Sequence, residues 1–198
     1  MDFSRKISEL GTKAVKAYRE MSGIRHDNEI PEIFLGGQIA LGLHTQCGIH
    51  VHVERRYLDI LQELGGSVGR EEIDDLGGLR ADVAIYRDKT PIAIIELKIC
   101  DEGDRRGAKV LADLEKMNLL TKRCALDTYI GILLTDLSND VRCADRRPEL
   151  ERLLGEPFSE EGPLEPASQG ADWNWQFLSG KFSRLDDTQL FFGAGRSS

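Results

Sequence analysis

No apolar run in this chain of 198 residues approaches the roughly 20 residues that a membrane-spanning helix needs. No secretory leader is visible at its start, so a cytoplasmic location is expected. Cysteine is sparse. Cys47, Cys100, Cys124 and Cys143 are widely spaced with no C-x-x-C pair, which points to free thiols in a reducing compartment rather than to disulfides or a zinc site. There is no G-x-x-x-x-G-K-[ST] loop to cradle a phosphate and no internal repeat. An excess of basic residues is also missing. The net charge of −8 counts against a large non-specific nucleic-acid surface, although a local basic groove remains compatible with it.

What is present is a charged hairpin. Arg80 to Tyr86 and Pro91 to Lys98 are runs rich in Ile, Val and Ala, separated by Arg87-Asp88-Lys89-Thr90. They read as two strands and a polar turn. Asp82, Glu96 and Lys98 lie inside or at the edge of this apolar unit, where an unpartnered charge is costly. With the turn centred on Lys89, Asp82 and Glu96 are equidistant from it and face each other. Opposed residues have Cβ atoms roughly 4.5–5.5 Å apart. Alternation puts Lys98 on the face of Glu96. Two opposed carboxylates repel, and a divalent cation relieves the repulsion. Mg²⁺ accepts one or two carboxylates, keeps several waters and suits phosphate chemistry.

Around this hairpin the periodicity changes several times. Residues 2–22 predict an amphipathic helix with Phe3, Ile7, Leu10, Ala14, Ala17, Tyr18 and Met21 on one stripe, either packed on the domain or used as an oligomerisation arm. Residues 28–47 predict a second helix, capped by Asn28 with Pro31 in its first turn, apolar nearly all round and therefore buried. Ile49 to Tyr57 alternates as a half-buried strand. It places His50, His52 and Glu54 on one face, as solvated polar positions or as an H-x-H-x-E set for zinc or iron. Arg55 and Arg56 are either phosphate contacts or exposed arginines. Residues 58–64 fit a helical turn or more strand, and the glycine-rich, acidic stretch 65–79 predicts a mobile loop.

After Lys98 the period becomes helical. Asp101 or Asp104 is the expected cap of a helix running to about Cys124, with Val110, Leu111, Leu114, Met117 and Thr121 inward. Arg105, Arg106 and Lys109 in its early turns are candidates for holding a nucleic-acid backbone, or a solvated face. Tyr129 to Leu134 is a continuous apolar run, as in a strand buried on both faces, and strand–helix–strand predicts a parallel crossover. Arg147 to Leu154 predicts a short helix, 155–172 a loop, and Trp173 to Phe177 a strand. Trp173 and Trp175 either pack on the sheet or stack on bases.

Asp82, a hairpin, then Glu96-Leu97-Lys98 resembles the PD-(D/E)XK nuclease superfamily, with Ala81 where the named motif has proline. The resemblance covers about residues 28–137. It implies an α/β fold with a restriction-endonuclease-like core: a mixed β-sheet flanked by helices in the order α-β-β-β-α-β. The length predicts one domain over 1–198, with an N-terminal helix (1–27), the nuclease-like core (28–137) and a C-terminal extension (138–198). The implied activity is metal-dependent hydrolysis of phosphodiester bonds, in DNA foremost and in RNA as the alternative. Asp82, Glu96 and Lys98 would be catalytic. Asp82, Glu96, the Leu97 carbonyl and Glu32, the matching position on the preceding helix, would hold Mg²⁺ or Mn²⁺. Glu54, Arg55, Arg56, Arg105, Arg106 and Lys109, read from residue type and position, are the candidate substrate contacts. Two other classes stay open: a non-catalytic nucleic-acid- or partner-binding module on the same fold, and a structural subunit with a buried ion network; a homo-oligomer or a partner protein is compatible with each reading.

Overall fold

The computed structural model describes residues 2–23, 29–101, 107–135, 143–166 and 174–182. Their elements run α1 (Ser4–Ser22), α2 (Glu32–Cys47), β1 (His50–Arg56), α3 (Tyr57–Glu63), α4 (Arg70–Leu76), β2 (Arg80–Arg87), β3 (Thr90–Cys100), α5 (Ala108–Thr121), β4 (Asp127–Thr135), α6 (Cys143–Leu154), β5 (Glu160–Glu161), β6 (Glu165–Pro166) and β7 (Asn174–Phe182). The strands form one seven-stranded sheet in the order β1-β2-β3-β4-β7-β5, with β6 also on β7. β3 and β4 are parallel across the α5 crossover, and the remaining pairs are antiparallel. This is an α/β fold with a mixed sheet flanked by helices.

Alternation along the strands makes two cores. Val83, Ile85, Ile95, Leu97, Tyr129 and Phe177 pack with Phe3, Ile7, Leu10, Leu35 and Ile39 of α1 and α2. Ala84, Tyr86, Ile94, Ile130, Ile132 and Leu178 pack on the opposite face with Tyr57, Leu76, Val110, Leu114 and Leu150 of α3 to α6. α1 lies close on β7: a Cβ at Gly11 would meet the Phe177 ring at 2.4 Å, so glycine sets that approach. The packing role of α1 is thereby met by its first turns. Ala17 is exposed and Met21 is 68 % exposed, so the predicted stripe is buried only over its first half.

The hairpin contains two compensating irregularities. Arg87 pairs with Thr90, so Asp88 and Lys89 form a two-residue turn with φ of 48° and 73°. This is the primed geometry that fits strand twist. The turn centre thus falls between Asp88 and Lys89, not on Lys89. Pairing then shifts: Tyr86 faces Pro91 but Ile85 faces Ala93, leaving Ile92 as an extra residue on β3. Beyond this bulge Val83 faces Ile95. Continuing by one residue sets Asp82 opposite Glu96.

Several expectations need correction. α2 starts at Glu32 with Pro31 in the N-cap position, and Asn28 lies outside the described residues. It is not buried all round, since Ile33 is 61 % and Leu41 57 % exposed. Residues 57–63 are helical. The stretch predicted as a mobile loop carries α4, started by a hydrogen bond from the Gly69 N–H to Glu72 Oε2 at 2.8 Å and anchored by buried Leu76. Seven residues with one buried apolar side chain are too few for a period to show. Glu54 has φ 55°, which breaks the alternation expected of β1: His52 and Val53 are both exposed. α5 begins at Ala108 behind Gly107, so Asp101 is not its cap, and Asp104 lies outside the described residues. Leu120, rather than Thr121, completes its buried stripe. Within the expected loop 155–172, β5 and β6 add short pairings to β7. Trp175 is fully buried and therefore packs; Trp173 lies outside the described residues.

Candidate active site

β2 and β3 stop pairing where the charges begin. The last paired residues are Val83 and Ile95. The next N–H on that edge of β3, from Leu97, donates to Asp82 Oδ2 at 2.6 Å. The one after, from Ile99, donates to Glu32 Oε1 at 3.1 Å. Two carboxylates therefore satisfy backbone donors that the departing strand leaves behind. The N–H and C=O of a strand residue point to the same edge, so the Leu97 carbonyl faces this gap as well.

Glu96 is only 1 % exposed. Its Oε1 accepts from the Tyr57 hydroxyl at 2.6 Å, and its Oε2 is 2.5 Å from Lys116 Nζ. Burial and the Asp82 charge push its carboxyl up to about 8, against the pull of Lys116 and Tyr57. Asp82 is also raised, by burial foremost, against the Leu97 hydrogen bond and the Lys116 charge. The phenol of Tyr57 is pushed well up by burial and by Glu96.

Lys98 does not reach Asp82 or Glu96 directly. Its Nζ lies 3.2 Å from Glu32 Oε2 and 3.1 Å from Asp113 Oδ2. Burial opposes its charge, but Asp113 and Glu32 outweigh burial and hold the ammonium well above its ordinary value. Lys116, 3.8 Å from Asp113 Oδ1, is likewise raised, with Glu96 outweighing burial. Four carboxylates (Glu32, Asp82, Glu96 and Asp113) thus share two ammonium groups, Lys98 and Lys116, so the fully ionised cluster carries surplus negative charge.

Among the described residues, no group of three or more His, Cys, Asp or Glu side chains is arranged to hold a metal ion. His50, His52 and Glu54 accordingly do not form the zinc or iron set weighed above. His52 lies against the Tyr86 ring, with centroids 4.6 Å apart. What the cluster offers instead is an opposed carboxylate pair beside a backbone carbonyl. That suits a hard ion which keeps much of its water, not a caged one.

The expected substrate contacts are differently placed. Arg55 pairs with Glu63 and Asp59 and donates to the Tyr86 hydroxyl at 3.2 Å. Arg56 pairs with Asp59 at 2.8 Å. Both guanidinium groups are therefore already engaged within the chain. Lys109 is exposed on α5, and Arg105 and Arg106 lie outside the described residues. The Glu54 backbone carbonyl accepts from Arg80 at 3.1 Å.

Sequence reasoning missed Tyr57, Asp113 and Lys116. Tyr57 reads as the last residue of a strand but opens α3 instead. Asp113 and Lys116 lie outside the inward stripe read from the sequence. Their signal was position: each directly precedes a buried residue of the inner stripe, Leu114 and Met117, and they are three apart, hence on one side of the helix.

No family model matches this chain, and no curated protein or solved structure matches it either. Among the described residues, no helix is long and apolar enough to cross a membrane.

Proposed function

We propose that this chain is a metal-dependent nuclease of restriction-endonuclease-like architecture that hydrolyses phosphodiester bonds, in DNA foremost. The observation that carries the reading is the opposed pair Asp82 and Glu96 on neighbouring strands, with Glu96 buried and pushed up to about 8 by that burial and by the Asp82 charge. The order of α2, three antiparallel strands, α5 and parallel β4 supports it.

Asp82, Glu96 and the Leu97 carbonyl would hold Mg²⁺ or Mn²⁺, with Glu32 beside them. When bound, the ion supplies positive charge and Lewis-acid polarisation at the phosphate. The chain's own residues orient the rest. Glu32 and Asp113 keep Lys98 protonated, so Lys98 serves as a charge and a hydrogen-bond donor to phosphate or water, not as a proton acceptor. Tyr57 fixes the Glu96 carboxylate in one orientation from the dry side. Incubation with circular and linear DNA, with and without Mg²⁺ or Mn²⁺, tests the reading: cation-dependent cleavage lost in Glu96→Gln is expected. Absence of cleavage on every DNA and RNA substrate with either ion argues against it.

One observation favours a second reading, a structural ion network. Both lysines have carboxylate partners within the chain. That reading requires no response of stability to divalent ions.

A further inference from the structure

Glu96 has both of its oxygens engaged, one by Tyr57 and one by Lys116, and sits where solvent scarcely reaches. A neutral phenol can share a carboxylate with a cation. An ammonium cannot do so without strong like-charge repulsion at such short range. Lys116 therefore stands where a divalent ion between Asp82 and Glu96 would compete with it. It also has a place to go. Asp113 lies three residues earlier on the same helix, with Oδ1 3.8 Å from Lys116 Nζ.

Resting on the metal-dependent reading above, we propose that Lys116 is a built-in competitor of the divalent cation: it holds Glu96 Oε2 in the cation-free protein and passes to Asp113 when the ion binds. The exchange has a consequence for Lys98, because Asp113 holds that ammonium as well, at 3.1 Å. Lys98 is on Oδ2 and Lys116 closes on Oδ1, so the single Asp113 charge is divided between two ammonium groups; Lys98, which keeps Glu32, is held less strongly and can turn toward a phosphate. Cation binding and the arming of Lys98 are then one event, and Lys116 is a positioning residue rather than a catalytic one.

Two measurements at one fixed pH test this. The first is calorimetric titration of Ca²⁺ and Mn²⁺ into the wild type and into Lys116→Gln, whose amide can still donate to Glu96. The variant is expected to bind at least about tenfold more tightly. The second needs no variant: Lys116 acylation in the wild type, read by peptide mass spectrometry, is expected to rise when Ca²⁺ is added while that of exposed Lys89 stays constant. A purely structural lysine would change neither readout in this direction. If the wild type binds cation but the variant binds no tighter, or Lys116 labelling does not rise, this inference is overturned and the nuclease reading stands. If neither protein binds Ca²⁺, Mn²⁺ or Mg²⁺, both are overturned.

Discussion

The Leu97 N–H donates to Asp82 Oδ2 at 2.6 Å, so a side chain stands in for the next rung of the β2–β3 ladder. Asp82 thus has two opposed effects on stability: it satisfies a backbone donor, and it repels Glu96. Two substitutions separate them. Asp82→Ala leaves the donor without its partner, a cost of about 1–3 kcal/mol. Asp82→Asn keeps an acceptor and removes one of two like charges. In cation-free thermal melts the expected order of stability is Asn, wild type, Ala. Saturating Mg²⁺ or Mn²⁺ should raise the wild-type melting temperature by roughly 3–6 °C and leave both variants unmoved. A wild-type melting temperature indifferent to both ions speaks for the structural network.

Glu96 makes cation-free stability pH-dependent with a defined sign. Unfolded, its carboxyl titrates near its ordinary value of 4.5; folded, near 8. Between those values the native state holds a proton that the unfolded chain has released. Stability therefore falls as pH rises through that window, with a slope of at most about 1.4 kcal/mol per pH unit from this group. Chemical denaturation of the wild type and Glu96→Gln from pH 5 to 9 isolates it. The difference in stability between the two should change across the window and level off above it. A constant difference would show that Glu96 titrates normally.

Tyr57→Phe removes only the hydroxyl that orients Glu96. A loss of about 1–2 kcal/mol is expected above the Glu96 titration, where the carboxylate most needs its donor. The loss should be smaller below it. Equal losses at pH 5 and pH 9 would mean that the hydroxyl matters for packing alone.

Lys98→Ala is expected to remove most cleavage while cation binding persists, since Lys98 touches Glu32 and Asp113 rather than the opposed pair. Calorimetry beside the cleavage assay checks both halves. Loss of cation binding in this variant would place Lys98 in the binding step instead.

Gly11→Ala serves as a test of packing remote from the site. Its Cβ would meet the Phe177 ring at 2.4 Å, so α1 must shift off β7, and a loss of about 1–3 kcal/mol is expected. Denaturant unfolding measures it, and an unchanged midpoint would mean that the Phe177 ring yields freely.

The hairpin was legible because alternating apolar strands and a polar turn leave a strong period. The opposition of Asp82 and Glu96 was reached from a turn centred on Lys89, whereas the chain achieves it with a tighter turn and an extra residue at Ile92. Two departures cancel, and neither is written in the period. α4 escaped notice because Leu76 is its one buried side chain. Asp113 and Lys116 escaped notice because a charged residue beside an apolar stripe looks the same whether it meets water or an opposite charge. Their partners arrive from β3, and only the folded arrangement brings them together.

The bulge at Ile92 gives the hairpin one residue of slack. β3 beyond it presents Glu96 and Lys98 to α3 and α5, and Ile95 and Leu97 to α1 and α2. Ile92 and Ala93 lie on the same side, against α1 and α2. Take Ile92 away and the ladder closes up as a regular two-residue hairpin, with Ile85 still opposite Ala93 and Glu96 still on its own face. Take away Ile94 instead and every later side chain of β3 changes sides, carrying two charges into an apolar core. A scan by single deletions would set Ile92 apart from its neighbours where a scan by substitution would pass it over.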